Sequence, residues 1–200
     1  MLFTIGHSTH DVEYFLMLLQ KHHITAVADV RSSPYSKFAP QFIQENIRRS
    51  LRNVHISYVF LGKELGARSP DAACYINGKV QYARLAQQKV FIEGARRVMN
   101  GMYKHRIALM CAEKDPIECH RALLVARYFF NQGIEVSHIL ADGDLETHKA
   151  LEERLLKVHK MAENDLFLSQ ADRLLQAYLR QEDKVAYQDE HLASIEEVAL

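Results

Sequence analysis

Cysteine is scarce in this 200-residue sequence: there are three, Cys74, Cys111 and Cys119. An odd, small number argues against a disulfide framework and for a reducing compartment. No apolar run approaches the length needed to cross a bilayer, so no membrane partner is expected. The N-terminus, MLFTIGHSTHD, lacks a basic leader and a cleavage signature, which points away from secretion and toward a cytoplasmic protein. Internal repeats and low-complexity tracts are missing too. Net charge is also zero, but the two signs are separated. Residues 1–143 carry 18 Lys and Arg against 12 Asp and Glu, and residues 144–200 carry 7 against 13. Within 31–68 the bases Arg31, Lys37, Arg48, Arg49, Arg52, Lys63 and Arg68 face only Glu45 and Glu64. Such a sector attracts phosphate or nucleic acid, or is simply a solvated helix face.

What is present is an ordinary globular composition, 48% hydrophobic and 25% charged. The length suits one domain with an appendage. Short apolar runs alternate with helical patterns. LFTIG, TAVADVR, ISYVFLG, RIALMC and EVSHIL read as strands. Between them, Val12, Phe15, Leu16 and Leu19 share one helical face, and Phe42, Ile43, Ile47 and Leu51 another. A long helix is expected from Ala83 to His105, and one from Ile117 that Gly133 ends. The expectation is an α/β fold: a mostly parallel five-stranded sheet with helices on both faces and a helical C-terminal extension. The α/β domain spans 1–143. From 144 to 200 the pattern is helical only, with stripes at Leu151, Leu155, Val158 and Ala162, and at Leu174, Leu175, Tyr178 and Leu179; the last dozen residues are expected to fray. The stretch 63–81, with the Asn77–Gly78 turn signal, reads as a long loop carrying a small hairpin.

Ligands of open parallel sheets bind beyond the carboxyl ends of the strands. Polar and reactive residues accumulate there: His7 and Ser8 after the first strand, Asp29 and Arg31 after the second, and Cys111, Glu113, Cys119, His120 and Arg121 after the fourth. In LMCAEKDPIECHR, Asp115 is a good N-cap and Pro116 a good first helical residue, with Glu118 completing a capping box. Cys119, His120 and Arg121 would then lie one turn into a helix whose free N–H groups, with Arg121, favour an anion.

Several segments together resemble the family called domain of unknown function 488: TIGHS at 4–8, DVRSSPYS at 29–36, YVFLGKELG at 58–66 and LMCAEKDPIECHR at 109–121. HIL and DG within 138–143, HKALEERLL at 148–156, DLF at 165–167 and AY at 177–178 extend the resemblance. Ala67 departs from the glycine expected there. The resemblance implies a fold and a set of site residues and leaves the reaction open.

Three chemistries fit the residues. Cys111 is a nucleophile candidate at a strand end near a helix start. Cys111, Cys119, His120 and His7 are legitimate soft-metal ligands, although adjacent residues on a helix would point Cys119 and His120 apart. Asp29 or Glu113 can serve as a base while Arg31 and Arg121 hold a phosphate. Tyr35, Tyr58 and Tyr75 are candidates for stacking on a base, or packing residues. His148 and Glu152 read as a solvent-facing helix pair.

The expectation is an enzyme, a hydrolase or transferase, or a ligand-binding domain for a phosphorylated ligand such as a nucleotide or nucleic acid. Catalytic candidates are Asp29, Cys111 and Glu113. Ligand-binding candidates are His7, Ser8, Arg31, Cys119, His120 and Arg121. No cofactor follows from the residues. A non-catalytic module binding nucleic acid or protein is the alternative, and a homo-oligomer would use the C-terminal helices.

Overall fold

The computed structural model describes residues 1–161 and 167–193. Ala162, Asp165, Leu166 and residues 194–200 of the expected frayed end lie outside the described residues. The main sheet has six strands, not five: β1 (Leu2–Gly6), β2 (Ala26–Asp29), β3 (Ser57–Phe60), β6 (Ile107–Cys111), β7 (Val136–Ile139) and β8 (Leu145–Thr147). Their order is β3-β2-β6-β1-β7-β8. All pairings are parallel except β7 with β8, which is antiparallel. β8 corrects the expectation that the pattern is purely helical from Gly143 onward. It is three residues long, too short for a periodicity to register, and it forms by pairing with β7 after the turn at Gly143.

Alternation along the buried strands assigns their side chains to two cores. Phe3, Ile5, Val27, Ala108 and Met110 pack with Phe15, Leu18 and Leu19 of α1 (Val12–Lys21) and Ile47 and Leu51 of α2 (Gln44–Asn53). Each such fully buried Leu or Phe contributes roughly 1.5–3 kcal/mol. Leu2, Ala28, Leu109 and Cys111 point to the other face, toward α5 (Lys89–Met102), α6 (Arg127–Asn131) and, later, α7 (His148–Val158) and α8 (Gln170–Val185). β3, the edge strand, alternates exposed and half-buried residues, unlike its neighbours.

The expected long helix over 83–105 is broken. α4 is a single turn (Tyr82–Leu85), and Gln88 is extended, capping α5. The loop over 63–81 opens with a short helix, α3 (Gly62–Leu65), and contains the expected hairpin, β4 (Tyr75–Ile76) with β5 (Lys79–Val80). Asn77 and Gly78 both have positive φ, as a two-residue hairpin turn requires.

His148 is fully buried, not solvent-facing, because α7 lies against β7 and α8. A hydrogen-bond chain passes through it. Thr4 Oγ1 is 2.8 Å from His138 Nδ1, His138 Nε2 is 3.1 Å from His148 Nδ1, and His148 Nε2 is 3.1 Å from the Tyr178 hydroxyl. Tyr178 donates to Glu152 at 3.0 Å. Each donor is satisfied in one direction only when both histidines are neutral. Burial, then the partner histidine, holds His138 well below the usual value, and burial beside Arg127 lowers His148 to about 4.

Candidate functional site

β1, β2 and β6 end side by side, with Gly6 in register with Cys111 and Asp29 with Met110. The chain continues in the same alignment: His7 N–H donates to the Cys111 carbonyl and Ser8 N–H to the Ala112 carbonyl. Gly6 is required here. A Cβ on it would lie 1.9 Å from the Glu113 carbonyl oxygen. That carbonyl is held by Arg121 Nη1 at 2.7 Å, while Arg121 Nη2 donates to the Lys114 carbonyl. Arg121 is fully buried, and it clamps the 113–114 backbone against β1.

Two groups of side chains form at these strand ends. The first contains His7, Asp29, Arg31 and Tyr58. Arg31 donates to Asp29 from its backbone N–H, Nε and Nη2, and Tyr58 donates to the same carboxylate at 2.8 Å. All four lone-pair directions of Asp29 are therefore occupied. Arg31 Nη1 meets His7 Nε2 at 3.0 Å, and His7 Nδ1 meets the Ser8 carbonyl at 2.8 Å. Because arginine only donates, Nε2 accepts and the ring proton sits on Nδ1. Burial and the Arg31 charge lower His7 to about 4, and its ring stacks on Phe42.

The second group is Cys111, Glu113, Cys119 and His120. The expected helix does not run through it. Asp115 Oδ1 does cap Ile117 N–H, and Pro116 does start a turn, but that turn is 3₁₀ and ends at Glu118. Cys119 is extended (φ −139, ψ 136), and a π-helical turn, Arg121–Ala126, follows before α6. The extended residue removes the 100° helical rotation that would have pointed Cys119 and His120 apart. Both side chains instead converge on Cys111: one ligand-type atom from each of the four residues lies within 4.8 Å of the others. Cys119 Sγ is 2.7 Å from Glu113 Oε2, in hydrogen-bond contact, and Cys111 Sγ is 3.7 Å from His120 Nδ1. His120 Nε2 meets the Val30 carbonyl at 3.0 Å, and Arg121 N–H reaches Cys119 Sγ at 3.4 Å. Glu113 is exposed as a residue, but its carboxyl turns inward.

Burial, reinforced by Cys119 and Glu113, pushes the Cys111 thiol up. Cys119 moves the other way in spite of burial, held down by the bond from Cys111 and the charges of Arg121 and His120. Glu113 is raised by burial and by Cys119.

A cavity of about 260 Å³ adjoins both groups. Arg31, Ser32 and Arg68 line one side, and Cys111, Glu113 and His120 another. Ser33, Ala67, Ala112 and Glu118 also line it, and so do Tyr82 with Val185 and Tyr187 of the C-terminal segment, which sequence reasoning did not anticipate. Tyr187 is held by its carbonyl accepting from Val80 N–H and by Arg68 over its ring, 4.3 Å from the centroid. No short-range pattern marks such a residue. Ser8 is half-buried and is not among the cavity-lining residues. Of the tyrosines considered, Tyr35 is exposed, Tyr75 bonds the Ser69 carbonyl, and Tyr58 serves Asp29.

Residues 11–128 match the family described as "Domain of unknown function DUF488". The chain belongs to this family. The match covers β2, β6 and all four residues of the thiol cluster, but neither β1 nor the C-terminal wall of the cavity. No curated protein and no solved structure matches the chain.

Proposed function

We propose that this DUF488 protein binds a small phosphorylated ligand, a nucleotide being one such, in the strand-end cavity and acts on it as a hydrolase or transferase. One observation carries the reading: two arginines and a thiol–carboxyl–imidazole cluster open onto the same cavity. Arg31 reaches the cavity wall with its guanidinium held by Asp29 and His7, and Asp29 fixes the direction of that fork. Arg68 supplies the second charge. Glu113, its carboxyl raised by burial, is suited to proton transfer. Cys111, its thiol raised by burial, is the reserve nucleophile and attacks only once its proton passes to a base such as His120 Nδ1, 3.7 Å away. Arg121 is a positioning residue that holds the Glu113 backbone. The three free cysteines fit a reducing, cytoplasmic setting.

A thermal-shift panel of nucleotides, sugar phosphates and inorganic phosphate tests the reading. A specific stabilisation that Arg68→Ala removes is expected. Glu113→Gln should keep that stabilisation and lose turnover of the same ligand. A panel without any shift, or a shift indifferent to Arg68→Ala, would overturn it.

A second reading rests on α2. Arg48, Arg49, Arg52 and His55 line one open groove on the edge-strand side, with Glu45 as the only acid among the described residues that line it. A nucleic-acid-binding module would use this groove, and its binding would weaken steeply with salt and in the triple alanine variant of those arginines.

A further inference from the structure

We infer that Cys111, Glu113, Cys119 and His120 bind a single divalent metal ion of the zinc class at the end of β6, with His120 coordinating through Nδ1. This deepens the proposed function, since Cys111, Glu113 and His120 also line the cavity, but it stands on the cluster's own geometry.

The donor set is the first argument. Two thiols, an imidazole and a carboxylate are the ligand types that zinc takes in four-coordinate sites, and thiolate with imidazole disfavours magnesium or calcium. The four ligand-type atoms already lie within 4.8 Å of one another. With Zn–S near 2.3 Å and Zn–N near 2.0–2.1 Å, a tetrahedral S···N edge is about 3.6 Å. Cys111 Sγ and His120 Nδ1 are 3.7 Å apart. Cys119 Sγ and Glu113 Oε2, at 2.7 Å, are closer than the corresponding edge and must separate by just under about 1 Å. Glu113 sits on the connection after β6, where its carboxyl is free to make that adjustment.

The second argument lies outside the donor set. Metal-bound histidines almost always donate their other ring N–H to a carboxylate, a backbone carbonyl or water, which fixes the tautomer. His120 Nε2 donates to the Val30 carbonyl at 3.0 Å, leaving Nδ1 as the coordinating atom facing Cys111. Around Cys119, the Arg121 backbone N–H already points at the sulfur. The Arg121 side chain holds the Glu113 carbonyl, fixing the loop that carries the fourth ligand. Binding releases to solvent whatever protons the thiols carry and leaves both sulfurs as thiolates. Because Cys111, Glu113 and His120 also line the cavity, a metal held there would lie beside a ligand bound in it.

The test uses the full chain with cobalt(II) as a spectroscopic probe for zinc. Metal-stripped protein, shown folded by circular dichroism, is titrated with cobalt alone. The expected result is saturation at one cobalt per chain, with a thiolate-to-cobalt charge-transfer band and d–d bands of tetrahedral intensity, both abolished by excess zinc. Cys119→Ser and His120→Asn should weaken cobalt binding by more than the roughly 10–100-fold that loss of an outer-shell partner costs. Cys74→Ala, outside the cluster, should leave the titration unchanged. If the cysteine variants do not fold, X-ray absorption of the zinc-loaded wild type decides instead: a shell with two sulfurs and two lighter donors supports the site. Absence of the charge-transfer band in folded wild-type protein, or a Cys119→Ser variant with wild-type cobalt affinity and undiminished band intensity, overturns it. The titration contains no phosphorylated ligand, and Arg68→Ala does not touch the cluster. Failure here therefore leaves the ligand-binding reading standing, and failure of the thermal-shift panel leaves the metal site standing.

Discussion

Arg31 and Asp29, two residues apart, are joined by three hydrogen bonds: from the Arg31 backbone N–H, from Nε and from Nη2, with the last at 2.6 Å. Both side chains are almost completely buried. Removing one partner of such a pair leaves an uncompensated buried charge, which costs about 3–5 kcal/mol. Asp29→Asn is expected to lose stability in that range, because a neutral amide cannot accept from three arginine donors and Tyr58 together. Denaturant unfolding at pH 7 measures it; a loss below about 1 kcal/mol would contradict the assignment of Asp29 as the anchor of Arg31.

Gly6→Ala should fail for a different reason. The new methyl meets the Glu113 carbonyl, which Arg121 holds in place. Either β1 or the 113–114 loop must shift. Overpacking of this kind costs typically about 1–3 kcal/mol. The variant should also lower turnover of the ligand, since the same loop carries Glu113. A variant with wild-type stability and wild-type turnover would show that the close approach is not needed.

The Thr4–His138–His148–Tyr178–Glu152 chain predicts an acid-sensitive fold. His148 is lowered to about 4 in the folded protein against an ordinary 6.5, so its contribution is complete above pH 6.5. As pH falls from 6.5 through 4, the unfolded histidine takes up a proton that the folded one refuses, and stability declines. At 1.36 kcal/mol per pH unit this amounts to about 3 kcal/mol from His148 alone. His138 acts in the same direction, and His7, also lowered to about 4, adds to it. Glu152, raised by burial, opposes them in part. The difference between wild type and His148→Gln isolates the term: the melting temperature of the variant should fall less steeply between pH 6.5 and 4. Parallel pH profiles would rule the chain out as the source.

Tyr178→Phe removes the hydroxyl that joins His148 to Glu152. Leaving a buried donor and acceptor unpaired costs about 1–3 kcal/mol. The ring stays, with Arg127 over it at 3.7 Å, so the loss should be confined to the hydrogen bonds. Urea unfolding with an unchanged m-value is the expected signature; a changed m-value would mean that α8 has detached.

Most of the fold was legible in the sequence. Five of the six main-sheet strands carry apolar runs, and α1 and α2 carry hydrophobic periodicities, that burial enforces residue by residue, and the Asn77–Gly78 hairpin is written in the positive φ its turn demands. The gathering of His7, Asp29, Arg31, Cys111, Glu113 and His120 at one end of the sheet also followed, because parallel strands place all their carboxyl ends together. Tertiary structure decided the rest. Asp115–Pro116 announces a helix start, but whether the turn continues or yields to an extended Cys119 depends on what the following residues pack against; here it brought Cys119 and His120 to one point. β8 exists only because β7 offers it an edge. Tyr187 reaches the cavity through bonds to residues more than a hundred positions earlier. Periodicity reports which face of an element is buried, and it carries no information about which distant residue completes that burial.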